Sequence, residues 1–377
     1  MYEDDRALLT CRGSNSGMVL WAEGPLWVSN NAMAIMPNSG AHRYCYYNLL
    51  NNPAYDMVSG SAQPQITRTD LQKKLVAWHG EDEQHAIAIT LGTLDDKIEL
   101  NRRMAATLEG MARALYRSWF VDFDPVHAKV RGEAPAHMDP ATAALFPDRF
   151  GEDGLPEGWR MGTLGDVIEF NPGEKLKKGT EAPYLEMKAL PTSGALADPP
   201  YRRAFTSGMK FRAGDTLLAR ITPCLENGKA AMIDDLLGDP VGWGSTEFIV
   251  MRAAKGISPM LPYCIARDDE FRAEAIQTMT GSSGRQRADA TRISEFPHCI
   301  APEPIHRAFE EICAPMTDRI FAAGRESRTL AALRDALLPR LMSGELRITD
   351  AQMELSGETQ SFEMRANTAA RFSAAYT

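Results

Sequence analysis

The sequence has few of the features that mark membrane-bound or nucleotide-hydrolysing proteins. Its 377 residues contain no uncharged apolar run of about 18 residues, which a membrane-spanning helix would require. The first residues are acidic and lack the apolar core of a signal peptide. No Gly-x-x-x-x-Gly-Lys-Ser/Thr loop occurs, so the sequence gives no support to an ATPase. We therefore expect a cytoplasmic protein with no membrane contact.

Cysteine is also sparse and scattered. No Cys-x-x-Cys pair and no adjoining pair of histidines accompanies the six cysteines. This pattern argues against a zinc site and against a disulfide scaffold, and it fits a reducing compartment. We expect free thiols and no metal site. The cysteines are Cys11, Cys45, Cys224, Cys264, Cys299 and Cys313.

Positive charge is in deficit as well, because the formal net charge is −9. Residues 159–300 nevertheless carry as many basic as acidic side chains, so the negative excess lies in the rest of the chain. A module without net charge can still present one basic face to a nucleic acid. The charge therefore leaves nucleic-acid binding open.

A diverged internal repeat is present. Four landmarks recur in the same order in both halves, at offsets of 209, 216, 221 and 224 residues, which grow slowly as loop insertions would make them. The landmarks of the first half are residues 5–12, 27–34, 58–65 and 66–69. Those of the second half are residues 214–220, 243–250, 279–286 and 290–293.

Each half ends in a long helical pattern in which apolar residues alternate in steps of 4 and 3, as in the heptad seam of a coiled coil. The runs cover residues 82–119 and 305–342, so each predicted helix is roughly 57 Å long. Polar seam positions commonly fix the register of such helices. The first seam is Ile87, Leu91, Leu94, Ile98, Asn101, Ala105, Leu108, Ala112, Leu115 and Trp119. The second is Phe309, Cys313, Met316, Ile320, Ala323, Ser327, Leu330, Arg334, Leu337 and Leu341.

The segments before these helices have the pattern of mixed α/β modules. Short apolar runs bounded by Gly, Ser and Asn, such as residues 248–251, are typical of buried strands. Residues 122–158 are rich in proline and glycine, which predicts a connector with little core. Two equal helices packed antiparallel would carry two such modules on a rigid spacer, and a spacer of this length fits two successive major-groove segments of DNA.

The sequence resembles a known family, the DNA specificity subunits of type I restriction-modification systems. The resemblance extends from about residue 5 to 348. The motifs that carry it are residues 98–104, 115–125, 155–159, 219–229, 245–248 and 337–346.

The resemblance implies a non-catalytic subunit with two target recognition domains, each reading one half of a split site in double-stranded DNA. It implies adenine-methyltransferase (modification) subunits and endonuclease/translocase (restriction) subunits as partners. S-adenosylmethionine, ATP and Mg²⁺ would be used by those partners, and this chain would hold no cofactor.

Combined with the periodicity, the resemblance predicts a mixed α/β fold in which two recognition domains are separated by two long antiparallel coiled-coil helices. The predicted boundaries are 1–80 for a partial first recognition domain, 81–121 for the central helix, 122–158 for the connector, 159–303 for the second recognition domain, 304–346 for the C-terminal helix and 347–377 for a disordered tail.

The first recognition domain departs from the family pattern. In the second half 58 residues separate Trp159 from Leu217, whereas seven residues precede the equivalent Leu8. About 51 residues of the first domain are therefore expected to be missing through a shortened N-terminus, which would leave apolar surface exposed within residues 1–80.

Residues that read DNA need amide or guanidinium groups for base edges, and hydroxyls or lysine for phosphates. In the second domain one predicted cluster lies in residues 220–229 and the other on the turn that follows Thr280. Replacing Arg285 and Arg287 with Ala is expected to weaken DNA binding and to flatten its salt dependence. The candidates of the second domain are Arg220, Thr222, Asn227, Lys229, Ser282, Ser283, Arg285, Gln286 and Arg287. Those of the first are Arg12, Gln63, Gln65 and Arg68.

Three other functions are considered. Asp198-Pro199-Pro200-Tyr201 matches the base-holding motif of adenine-N6 DNA methyltransferases, but the sequence has no glycine-rich loop for S-adenosylmethionine. Pro147-Asp148 with Glu186-Met187-Lys188 imitates the carboxylates and lysine of a metal-dependent nuclease. A shortened first domain also leaves open an assembly scaffold without full DNA specificity.

Overall fold

The structure is a computed structural model that describes residues 1–38, 40–60, 63–236, 238–282 and 284–351. The chain forms two compact units. The first contains Met1–Leu100 together with the described residues from Glu326 onward, and the second contains Asn101–Arg325. Because the two long helices cross these boundaries, each helix contributes one part to each unit.

The first unit is built on an antiparallel sheet of three strands in the order β2-β1-β3. One face of β1 is buried through Ala7 and Leu9, and the first helix packs against this sheet. The elements are β1 (Arg6–Thr10), β2 (Val19–Ala22), β3 (Ala32–Ala34), α1 (His42–Asn51), a 3-10 turn (Ala54–Met57), α2 (Arg68–Leu71) and the long α3 (Glu81–Phe120).

The second unit contains two four-stranded sheets and one two-stranded sheet. The helices that follow α3 along the chain are α4 (Asp124–Val130), α5 (Pro140–Ala144), α6 (Met260–Ala266), α7 (Asp269–Gln277), α8 (Ala290–Ser294) and the long α9 (Glu303–Met342). The strands of these sheets are β4 (Arg160–Thr163), β5 (Ile168–Phe170), β6 (Glu181–Leu185), β7 (Tyr201–Ala204), β8 (Met209–Phe211), β9 (Thr216–Ala219), β10 (Ala230–Met232), β11 (Gly242–Gly244), β12 (Phe248–Ala253) and β13 (Pro297–Ile300). Two 3-10 turns, Leu164–Asp166 and Met187–Ala189, complete the unit.

The strand orders are β10-β9-β12-β5, β7-β6-β11-β8 and β13-β4. All neighbours are antiparallel except β6 and β11, which run parallel. The apolar run that predicted a buried strand is the start of β12, where Phe248, Ile249 and Val250 are fully buried. The largest core joins this sheet to α6 and to the long helices.

The internal repeat is visible in the sheets. In the first unit β1 lies between β2 and β3, and in the second β9 lies between β10 and β12, in both cases with antiparallel neighbours. The registers also correspond, because Leu9 pairs with Met33 and Leu218 pairs with Ile249. The offsets of these pairs, 209 and 216 residues, are those predicted from the sequence.

One of the predicted landmarks is misaligned by two residues. The sequence comparison set residues 66–69 against 290–293, but α2 is capped by the side chain of Thr67 and α8 by that of Asp289, an offset of 222. The cap fixes where each short helix begins, because its side chain accepts hydrogen bonds from the first backbone amides. The matching Thr-Arg letters therefore gave the wrong alignment at this point.

The predicted mixed α/β fold with two long antiparallel helices is confirmed. The helices α3 and α9 each have 40 residues, which corresponds to about 60 Å. Every predicted seam position is buried or half-buried. In the first unit Asp95 pairs with Arg334 and Lys97 with Glu326, so rising numbers on α3 meet falling numbers on α9.

The prediction of a connector with little core in residues 122–158 is wrong. This segment forms α4 and α5, and its Val126 and Phe146 are buried in the main core of the second unit. Phe146 packs edge-on against Trp119, with ring centroids 5.0 Å apart. Two of the five prolines in this segment, Pro125 and Pro140, lie in the first turns of the two helices, where a missing amide proton costs no helical hydrogen bond.

Apolar side chains are exposed in residues 1–80, as the sequence predicted. Examples are Trp27, which is 80% exposed, and Leu75, which is 87% exposed. The predicted tail lies largely outside the described residues, which end at residue 351. None of the helices in the described part of the chain has the length and apolar character that crossing a membrane requires.

Candidate nucleic-acid interface

The two loop clusters predicted in the second unit lie side by side. The backbone amide of Thr222 donates to the carbonyl of Gln286 at 3.1 Å, and the amide of Ala288 donates to the carbonyl of Arg220 at 2.8 Å. Ile221 and Arg287 form an isolated antiparallel bridge between these hydrogen bonds. The segments 220–229 and 280–288 therefore form one surface, which we call the second loop pair.

The first unit has the same backbone arrangement. Its Arg12 bridges Gln65, and the amide of Ile66 donates to the carbonyl of Cys11 at 2.9 Å. The amide of Gly13 donates to the carbonyl of Pro64 at 3.0 Å, as Thr222 does to Gln286. We call segments 11–15 and 58–68 the first loop pair. Each unit thus presents two adjoining loops at the same place relative to its central strand.

Arg287 is held by a carboxylate. Its Nε lies 2.9 and 2.8 Å from the two carboxylate oxygens of Glu247, and its Nη2 lies 2.7 Å from Oε1. This partner raises the pKa of the Arg287 guanidinium above its ordinary value. The Nη1 of Arg287 also donates to the carbonyl of Arg285 at 3.1 Å. Arg287 is therefore engaged within the protein, and it fixes the turn that carries Arg285.

The turn before Arg287 depends on two glycines. Gly281 and Gly284 have φ angles of +129° and +77°, which lie in the left-handed range that side chains disfavour. The amide of Arg285 donates to the carbonyl of Ser282 at 3.0 Å and closes the turn. Ser282 and Arg285 are exposed, and Gln286 is half-buried. Ser283 lies outside the described residues.

The candidates on the other loop are less exposed, apart from Asn227. Lys229 is half-buried, and its Nζ donates to the carbonyl of Met187 at 3.1 Å. The Nε of Arg220 and the hydroxyl of Thr222 are buried and have no hydrogen-bond partner among the described residues. Because buried polar atoms are usually paired, these two atoms are suited to meet a ligand or water.

The candidates in the first loop pair, namely Arg12, Gln63, Gln65 and Arg68, are all exposed. Arg12 occupies the bridge position that Ile221 holds in the second unit, and Gln65 occupies that of Arg287. Arg68 is the first residue of α2. The two loop pairs therefore share a backbone arrangement and differ in the side chains that they present.

A buried arginine supports the second loop pair. Arg267 is 5% exposed, and it donates to the carbonyls of Gly228 and Ala230, each at 2.7 Å. Its Nη1 also donates to the carbonyl of Thr192 at 2.9 Å. Its Nε lies 3.1 Å from the hydroxyl of Tyr263, which donates to Glu109 on α3 at 2.8 Å. The sequence alone does not indicate this residue, because an arginine at the end of a short helix carries no distinctive signal.

The enzyme-like motifs lie at sites with ordinary contacts. Tyr201, the last residue of the Asp-Pro-Pro-Tyr motif, begins β7 and packs against Tyr184 with ring centroids 5.4 Å apart. Lys188 pairs with Glu186 of its own motif at 2.8 Å. Within the described residues there is no group of three or more His, Cys, Asp or Glu side chains placed to hold a metal ion.

Known DNA specificity subunits are similar to this chain. Residues 3–110 match the family described as Type I restriction modification DNA specificity domain. The chain is 22% identical over 360 residues to the specificity subunit of the type I restriction enzyme MjaIX from Methanocaldococcus jannaschii, covering 91% of this chain and 78% of that protein. The chain is thus similar to specificity subunits of type I restriction enzymes. The specificity subunit of the type I enzyme HindI from Haemophilus influenzae is 23% identical over 85% of this chain and 81% of its own length.

The chain is also similar to a solved S subunit of a type I restriction-modification system from M. genitalium, at 16% identity and a TM-score of 0.48, covering 91% of this chain and 83% of that one. The matched family domain covers the first loop pair and most of α3. The matched domain and the two relatives agree with the predicted resemblance to DNA specificity subunits.

Proposed function

We propose that this chain is a specificity subunit that reads a bipartite site in double-stranded DNA, with one loop pair on each half. The observation that carries the proposal is that both units build the same two-loop surface and place different side chains on it. A shared backbone with different amide and guanidinium groups would address two different half-sites.

Within the second loop pair, Arg285, Asn227 and Ser282 are the exposed groups available for base edges and phosphates. Arg287 would act by holding the turn, because Glu247 already accepts its hydrogen bonds. Arg220 and Thr222 are half-buried beside these groups and would add contacts through their exposed parts. In the first loop pair Arg12, Gln65 and Arg68 would make the corresponding contacts, with Gln63 beside them.

The specificity subunit would perform no chemistry. We propose that it binds methyltransferase (modification) subunits and endonuclease/translocase (restriction) subunits in the cytoplasm, and that these partners use S-adenosylmethionine, ATP and Mg²⁺. Exposed apolar residues on α3 support a docking role for the long helices, since Ile89 and Leu100 are 53% and 58% exposed. Such residues are common where protein partners bind.

The test is selection of binding sequences from a pool of random duplexes, with a methyltransferase subunit present. We expect the wild type to select two short conserved blocks separated by a constant spacer. Arg285→Ala should relax one block, and the pair Arg12→Ala and Gln65→Ala should relax the other. Removing a side chain that hydrogen-bonds to a base edge should lower discrimination at that base pair by about 1–3 kcal/mol.

Arg149→Ala is the matched control, because Arg149 is an exposed arginine that pairs with Glu157 and belongs to neither loop pair. It should leave both blocks intact. Selection of a single continuous block, or an unchanged selection by the loop variants, would contradict the proposal.

A further inference from the structure

An apolar groove lies in the first unit, beside the outer edge of β3. Its volume is about 190 Å³, and its apolar lining comes from the residue that follows β3, from α1, and from α2 with the segment after it. The residues around it are poorly covered, because Leu75, Met36 and Trp78 are 87%, 62% and 55% exposed. The apolar lining residues are Ile35, Cys45, Leu49, Leu71, Val76 and Trp78.

The second unit shows what covers the equivalent strand edge there. By the repeat, β3 corresponds to β12, and the outer edge of β12 is paired with β5. Met251 and Arg252 lie opposite Phe170 and Glu169 in that pairing. The residues of the first unit that correspond to Met251 and Arg252 are Ile35 and Met36, which directly follow β3. The outer edge of β3 is not paired with another strand among the described residues.

The other side of the groove has an equivalent as well. Residues 75–78 precede α3 at the same spacing as β13 precedes α9. In the second unit β13 is paired along its length with β4. Residues 75–78 belong to no strand, and Val76 is 39% exposed where the equivalent His298 is 9% exposed.

One continuous segment covers both of these edges in the second unit. The strands β4 and β5 are separated only by the turn Leu164–Asp166 and one further residue. Leu164, Val167 and Ile168 of this segment are at most 3% exposed, so they supply the apolar contacts between the two strands. The first unit has both edges and the groove between them, and none of its described residues takes the place of this segment.

We propose that the groove binds, in trans, a polypeptide segment of the strand-turn-strand kind that residues 160–170 form. Such a segment would add one strand to the outer edge of β3 and a second strand to residues 75–78. Its aliphatic turn residues would enter the groove beside Val76. Strand addition of this kind takes its affinity from backbone hydrogen bonds and its specificity from side-chain pockets.

The probe is a fluorescent peptide with the sequence of residues 158–171, titrated with the whole chain and followed by anisotropy. We expect saturable binding at one site per chain, and slower backbone amide exchange at residues 32–38 and 75–78 in the complex. A peptide of the same length with Leu164→Asp and Ile168→Asp is the matched control, and it should not bind.

Two variants of the chain locate the site. Val76→Glu and Met36→Glu each place a charge in the proposed contact, and we expect either to weaken binding about tenfold or more. Both positions are partly exposed, so the variants should fold. Met111→Glu is the control, since Met111 is 51% exposed on α3 in the other unit, and its affinity should equal that of the wild type.

Equal binding of the two peptides, or equal binding by the groove variants and the wild type, would overturn the proposal. A chain that lacks residues 352–377 provides a further test. If the peptide binds only after this deletion, the chain's own tail is the occupant and the proposal of a partner in trans is wrong. A concentration-dependent dimer that the peptide cannot dissociate would overturn it as well.

Discussion

Two buried histidines in the second unit should make its stability depend on pH. His298 on β13 and His306 on α9 are 9% and 4% exposed, and burial lowers the pKa of each to about 4. His306 stacks on Phe120 with ring centroids 5.3 Å apart. Neither nitrogen of His306 has a hydrogen-bond partner in the described part of the chain, so nothing there stabilises a proton on this ring.

The sign follows from the two pKa values. In the unfolded chain a histidine has a pKa of 6.5, so between about pH 4 and pH 6.5 the unfolded state binds more protons than the folded state. Stability is therefore complete above pH 6.5 and falls as the pH is lowered. With these values the decrease at pH 5, relative to pH 7.5, is about 2 kcal/mol for each histidine, or about 4 kcal/mol for the pair.

The assay is urea unfolding followed by tryptophan fluorescence at several values between pH 5 and pH 7.5. The variant His298→Leu with His306→Phe removes both titrating groups and keeps a ring against Phe120. We expect most of the decrease in unfolding free energy to disappear in this variant, whereas His85→Gln, at an exposed position of α3, should behave as the wild type. The same decrease in the double variant and in the wild type would refute the reasoning.

Three further predictions concern interactions described above. Asp95→Asn weakens the ion pair in which Arg334 Nη1 lies 2.6 Å from Asp95 Oδ1, and it should lower the unfolding free energy of the first unit by about 2 kcal/mol. The same substitution should cost less in an Arg334→Met background, and equal costs in the two backgrounds of this double-mutant cycle would contradict the prediction. Phe146→Ala should lower the unfolding free energy measured in urea by roughly 3–5 kcal/mol, because Phe146 is 2% exposed in the main core. A decrease smaller than that of a surface substitution such as Leu145→Ala would show that the segment is only a connector. Glu247→Gln removes the charge that holds Arg287. In competition binding it should reduce the preference for selected over random duplexes about tenfold, with little change in thermal stability. An unchanged preference would count against the positioning role of Arg287.

Much of the fold could be predicted because it is periodic. The heptad steps locate both long helices to within a few residues, and the repeat gives the correspondence of β1 with β9 and of β3 with β12. The prediction for residues 122–158 is wrong because proline content alone does not indicate a connector. In a helix the effect of proline depends on its position, and here Pro125 and Pro140 occupy first turns.

The candidate site could be predicted only in part. The sequence indicates the loops, because glycine, serine and basic residues cluster there. It could not show that Glu247 holds Arg287, since 40 residues separate the two side chains and only the fold brings them together. The same holds for Arg267, whose carbonyl acceptors lie in two distant segments. Which arginine faces the ligand and which one supports it is therefore a property of the tertiary structure.

The division of the chain between the units has a consequence for biosynthesis. The second unit is a continuous stretch, Asn101–Arg325, whereas the first needs residues from both ends of the chain. During translation the second unit can condense as soon as its last residues leave the ribosome. Leu91 and its neighbours on the early part of α3 must wait for Leu337 and Leu341, which are synthesised after the second unit, before their shared core can close. The segment made first is thus completed last, and in the interval its apolar side chains stay open to water and to other nascent chains.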